Sequence, residues 1–199
     1  ILGNVLGWAT IRKTWEEGLS RDDDYEFLFL HPEDWATYVG KATYRVGRFA
    51  SLRAALAGRA AAKEAIRRGC RKLIVGSFHY AALLPSTSGV RYYIHGDATP
   101  RQLETLGYSQ REPKPRNLSG LVQSAIRASY HIVYERAFRR LGRDGHHFLC
   151  WSSWCAGGLV DDYGIPSDHI TVLPPAVDTN YWTPSTERDL SQPLQVLFI

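Results

Sequence analysis

Residues able to do chemistry stand directly behind apolar runs of strand length. His95-Gly96-Asp97 follows Val90 to Ile94, Ser77 and His79 stand at the end of the run Lys72 to Phe78, His31 follows Tyr25 to Leu30, and Ser152-Ser153 follows His147 to Trp151. In open parallel sheets ligands collect at the carboxyl ends of strands, so these residues are expected along one edge. An imidazole at His95 can hydrogen-bond a sugar hydroxyl or stabilise developing charge. The competing account is a histidine satisfied by local backbone. Near the start, Gly3-Asn4-Val5-Leu6-Gly7 opens a predicted helix. Glycines there let backbone N–H groups approach a phosphate, and the helix terminus adds partial positive charge. The segment is not a GxGxxG fingerprint, so a plain strand-to-helix turn accounts for it equally.

Other chemistries lose support from spacing. Ser152 and Ser153 lack the GxSxG context of a hydrolase nucleophile. His146-His147 has no third ligand nearby, which argues against a metal site. Cys70, Cys150 and Cys155 form neither a CxxC nor a Cys/His quartet. Three cysteines cannot all pair, and a reduced, cytosolic protein is the economical expectation.

The elements that must position these residues alternate between strand-like and helix-like patterns. A helix is predicted over 8–19, a strand over 25–30, and a basic, Ala-rich helical tract over 44–68 that Gly58 interrupts. Strands follow over 72–78 and 90–95. The stretch 96–120 reads as a long loop carrying a short helix, because Pro100, Pro113 and Pro115 punctuate it. A helix is expected over 121–141, a strand over 147–151, a helix over 153–163 closed by Gly164 and Pro166, and a strand over 170–173. Such alternation predicts an α/β fold, a Rossmann-like parallel sheet flanked by helices.

The 199 residues suit one α/β domain, or one domain plus a fragment, and six Trp, eleven Tyr and seven Phe are ample for a packed core. No apolar run approaches the ~20 residues of a membrane span. The formal net charge is only +4, yet nine cations lie between Lys41 and Arg71 against one acid, Glu64. Arg45, Arg48 and Arg53 are candidates there for contact with an acceptor or an anionic membrane surface; a solvated helix face is the plainer account. Nucleic-acid binding is not expected, since the basic run lacks interleaved aromatics. There is no Met, and both Ile1-Leu2-Gly3 and Leu194 to Ile199 read as partial strands, which predicts a segment of a longer polypeptide.

One stretch carries a resemblance. Phe148-Leu149-Cys150-Trp151-Ser152, Tyr163-Gly164-Ile165-Pro166, Ile170-Thr171-Val172-Leu173-Pro174, then Val177-Asp178, Trp182 and Pro184 together resemble the family-4 retaining glycosyltransferases. Pro175 and Ala176 stand where that family has Asn-Gly, and the first loop lacks its Gly-Gly pair. The resemblance implies the N-terminal half of a GT-B architecture: residues 1–173 as the acceptor-side domain with its first strand truncated, 174–193 as interdomain linker, and 194–199 as the first strand of a second, nucleotide-sugar domain. It implies sugar transfer from a nucleotide-sugar donor to a glycan, lipid or small-molecule acceptor, with retention of configuration and without a metal or cofactor, and a fragment inactive by itself. By the same resemblance His95 would be the catalytic residue, contacting the transferred sugar or supporting the transition state, while Gly3, Asn4, Gly7, Asp97 and Ser152 would contact donor or acceptor. A cytoplasmic protein, peripheral to the membrane if the acceptor is a lipid, is the matching expectation. The alternatives are a non-catalytic carbohydrate- or phosphate-binding module and a peripheral membrane-binding α/β module.

Overall fold

Four short apolar runs become the strands of one parallel sheet: β1 (Lys72–Val75), β2 (Arg91–Gly96), β3 (His147–Cys150) and β4 (Ile170–Val172), in the order β1-β2-β3-β4. The computed structural model describes residues 8–21, 23–24, 26–30, 50–106 and 118–175. The helices are α1 (Trp8–Leu19), α2 (Ala50–Arg67), α3 (Phe78–Ala81), α4 (Pro100–Thr105), α5 (Leu118–Arg143) and α6 (Ser153–Tyr163), with a 3-10 turn at Ser167–His169. Each parallel pair needs a crossover. The crossovers run through α3, through α4 and α5, and through α6 with the 3-10 turn.

Strand side chains alternate between faces, and the register aligns them. Val75, Ile94 and Phe148 are cross-strand neighbours on one face, where Tyr92, Ile94, Phe148 and Cys150 are fully buried. Phe138 of α5 packs onto that face. Its ring meets Phe78 at 5.4 Å, Tyr134 at 5.6 Å, Phe148 at 5.8 Å and Tyr163 at 5.1 Å between centroids. The offset and edge-on geometries are those aromatic quadrupoles favour. Burying one such Phe side chain is worth about 1.5–3 kcal/mol, so this cluster holds α3, α5, α6 and β3 together. The opposite face is barer: Ile74 is 46% exposed, and Tyr93, His147 and Leu149 are half-buried.

Two glycines are required by close approach. At Gly96 a Cβ would come within 2.6 Å of the Phe78 ring, and at Gly58 within 2.2 Å of the Tyr80 carbonyl oxygen. Gly58 therefore seats α2 against α3, and α2 runs through it without a break. The expected interruption there is corrected: helix continuity is held by packing that outweighs the propensity loss of about 1 kcal/mol.

Other expectations shift at their edges. The predicted strand 72–78 stops at Val75, because Ser77 begins the short helix α3. The loop 96–120 carries α4, as expected, and α5 starts at Leu118. Of the predicted strand 25–30, residues 26–30 have no strand structure; strand composition creates a strand only where a ladder partner exists. α6 matches its prediction residue for residue, opened by Ser152 and closed by Gly164 in the left-handed conformation, φ 65°. The expected strands at 1–3 and 194–199, and the linker beyond 175, lie outside the described residues.

Gly58→Ala is expected to destabilise the protein by about 1–3 kcal/mol through overpacking against backbone. Gly157→Ala sits mid-helix in α6 with nothing within 4 Å of the added Cβ, and should be neutral or stabilising by up to about 1 kcal/mol. Urea denaturation of the two variants checks the contrast.

Candidate functional site

Because all four strands are parallel, their carboxyl ends share one edge, and the first three end in polar turns. After β1, the Ser77 hydroxyl accepts from the His79 N–H at 3.3 Å and caps α3. After β2, Asp97 Oδ1 accepts from the Ala98 N–H at 2.9 Å. Thr99 and Gln102 then exchange hydrogen bonds in a capping box that starts α4. After β3, Ser152 Oγ accepts from the Cys155 N–H at 3.2 Å and caps α6. The Trp151 N–H donates to the Gly96 carbonyl at 3.1 Å, tying the second and third turns together. Ser77, His79, His95, Asp97 and Ser152 are thus brought to one edge. Ser152 is occupied as a helix cap.

His95 reaches this edge but is 3% exposed. The Trp151 indole N–H donates to its Nε2, and the rings of Trp15 and Trp151 each lie 5.3 Å from it, edge-on. Burial pushes the imidazole down to about 4, against the opposing pull of the Asp97 carboxylate. A neutral ring between two indoles has no path to a ligand while Trp15 of α1 stays in place. The sequence could not show this cover, since Trp15 lies far from His95 along the chain.

His79 is half-buried at the same edge. The Tyr134 hydroxyl donates to the His79 carbonyl at 2.9 Å and lies 3.4 Å from its Nδ1. Burial lowers the His79 pKa, with the Asp97 charge acting the other way. Beneath the edge, Cys155 Sγ lies 3.6 Å from the Gly96 carbonyl as donor, and both Cys150 and Cys155 are fully buried. The remaining described histidines serve elsewhere. His146 Nδ1 accepts from the Tyr92 N–H at 3.4 Å, His147 meets the Thr171 hydroxyl at 2.8 Å, His169 bonds the Gly142 carbonyl at 3.0 Å, and His131 lies 3.9 Å from Glu104.

Gly3, Asn4, Gly7, His31, Arg45 and Arg48 lie outside the described residues. Arg53 is exposed on α2. Further along, Arg67 and Arg68 both clamp Glu64, whose carboxyl they hold down at about 2, and Arg59 donates to the Leu83 carbonyl. A cleft of about 700 Å³ lies beside β1, between α1, residues 26–30 and α2, with Trp15, Phe27, Ile74 and Tyr93 in its walls. None of His79, His95, Asp97 and Ser152 lines it. Among the described residues no helix is long and apolar enough to cross a membrane, and no group of three or more His, Cys, Asp or Glu is placed to hold a metal ion. Comparison with protein-family models, with curated proteins and with solved structures finds no match to this chain.

Histidine burial sets a pH dependence. Burial lowers the His95 pKa from the ordinary 6.5 of a solvated imidazole to about 4, so the unfolded chain binds more protons between those values. Its stabilising contribution is complete above pH 6.5 and is lost as pH falls towards 4. His79 and His146, also lowered by burial, act in the same sense. The Glu64 contribution is lost lower, between about 4.5 and 2. The urea midpoint is expected to drop between pH 7 and 4.5, and to drop less in His95→Gln; a midpoint independent of pH contradicts a buried neutral His95.

Proposed function

We propose that this chain is the acceptor-side lobe of a GT-B retaining glycosyltransferase, which moves a sugar from a nucleotide sugar to a glycan, lipid or small-molecule acceptor. The observation that carries this reading is the run from Phe148 to Pro174. Its residues resemble the family-4 pattern, and they form β3, the Ser152-capped helix α6, the Gly164 stop and β4 in the order that pattern requires. The chain leaves β4 at Leu173 and Pro174, on the same edge as Asp97 and Ser152. A second lobe following it would begin over that edge and close a cleft against it. The donor-binding groups would belong to that second lobe, so residues 1–199 alone are inactive in this reading.

Asp97 is then the exposed group that meets the sugar, and His95 takes part only when α1 moves Trp15 aside. One observation favours a second reading: the sealing of His95 suits a non-catalytic carbohydrate- or phosphate-binding module at the same edge. Contact of Arg53 with an anionic membrane would be compatible with either.

Both readings are separated by supplying the polypeptide, extended by whatever sequence follows Ile199, with a panel of labelled nucleotide sugars and mixed acceptors. Transfer giving a product with the donor's anomeric configuration is expected, with Asp97→Asn slowing it at least about tenfold, the loss of about 1.4 kcal/mol of binding to a charged acceptor. Binding without release of nucleoside diphosphate selects the module, and neither binding nor transfer with any donor sinks both.

A further inference from the structure

Two arginines from different helices converge on the turn that returns the chain to the amino end of β2. Arg59 of α2 donates through Nη1 to the Leu83 carbonyl at 3.2 Å, and Arg140 of α5 donates through Nη2 to the Leu84 carbonyl at 2.8 Å. Successive Cα atoms stand about 3.8 Å apart, so the two guanidiniums are drawn to adjacent peptide groups. Both charges also act on the Tyr92 hydroxyl, which donates to the Pro85 carbonyl at 2.8 Å. They pull its pKa down against the burial that raises it to about 12.

No carboxylate answers this pair among the described residues. Asp144 stands four residues after Arg140, the spacing of a helical ion pair, yet its Oδ2 accepts from the Ser86 hydroxyl at 3.4 Å. Arg140 Nε–H is closed off from solvent and meets no acceptor. A guanidinium carries five N–H donors, and each of these two spends one on a carbonyl. Those carbonyls follow α3 directly, so capping accounts for one bond from each arginine. It leaves two like charges side by side, which repel until an anion joins them.

The anion that fits must satisfy both forks. A planar carboxylate is filled by one guanidinium. A phosphate monoester brings close to two charges and three terminal oxygens, enough for two. Ser86-Thr87-Ser88 continue the same turn with hydroxyl donors.

We propose that Arg59 and Arg140, at the turn 83–88, form a binding site for a soluble phosphate monoester at the amino end of the sheet. The site lies opposite the carboxyl edge and stands independently of the glycosyl-transfer reading.

The test is isothermal titration of the full chain with glycerol 3-phosphate and with inorganic phosphate at constant ionic strength. One saturable site is expected, with a Kd of about 1 mM or below. Dimethyl phosphate, a singly charged diester, should not saturate it. Arg59→Gln should weaken binding at least about tenfold, the loss of one hydrogen bond to a charged group, and Arg140→Gln at least as much. Arg68→Gln removes the same charge from α2 where it is paired with Glu64, and should leave the affinity unchanged. Arg59 is exposed, so Arg59→Gln decides the matter by itself if Arg140→Gln does not fold. No saturation with either probe, unchanged affinity in Arg59→Gln, or equal weakening in Arg68→Gln overturns the proposal. Attachment to phosphatidate-containing vesicles without binding of either soluble probe overturns it too, since the surface is then a lipid contact.

Discussion

The structure depends on one packing event: the Phe138 ring wedged among Phe78, Tyr134, Phe148 and Tyr163. Through it α5 presses on the buried face of the sheet. The rings it touches are also the neighbours of the polar turns: Phe78 precedes His79, Tyr134 orients His79, and Tyr163 is the last residue of the helix that Ser152 caps. Dispersion between single atom pairs is only about 0.1–0.2 kcal/mol, but close-packed aromatic surfaces sum many such contacts. The carboxyl edge inherits its geometry from this cluster. Gly96 is its counterpart on the sheet, since any side chain there would push Phe78, and with it His79, out of place.

The same edge shows how burial sorts chemically similar groups. His95 and His79 both follow strands, and both are held neutral by loss of water. His95 is closed in by Trp15 and Trp151, whereas His79 is half-buried with its ring fixed by Tyr134. Ser77, Thr99 and Ser152 all direct their oxygens to helix N–H groups, so what looks like a row of nucleophiles is a row of caps. Charge follows the same logic on α2. The positive stretch that suggested an anionic surface is partly consumed internally, because Glu64 binds Arg67 and Arg68, and Arg59 binds a carbonyl.

Where the determinants were local, they were legible in the sequence. α6 could be read to the residue because Ser152 and Gly164 are start and stop signals that act through their own backbone neighbours. β2 and β3 could be read because their apolar runs are short and bounded. Where the determinant was a distant partner, the sequence was silent. Residues 26–30 have the composition of a strand and no ladder. Gly58 resembles a helix break and is a packing contact with Tyr80. The cover over His95 comes from Trp15, and the orientation of His79 from Tyr134, 55 residues away. Strand ends therefore showed which residues share an edge, while which of them are covered or engaged as helix caps needed tertiary contacts.

The central claim is that this protein works at the carboxyl edge of its sheet. Hydrogen–deuterium exchange with and without a nucleotide-sugar mixture tests it most directly. The account requires slowed exchange in the turns at 76–80, 96–99 and 151–155, with the amino-end turns at 69–71 and 144–146 unchanged. Protection confined to the amino-end turns, or to the cleft beside β1, would contradict it.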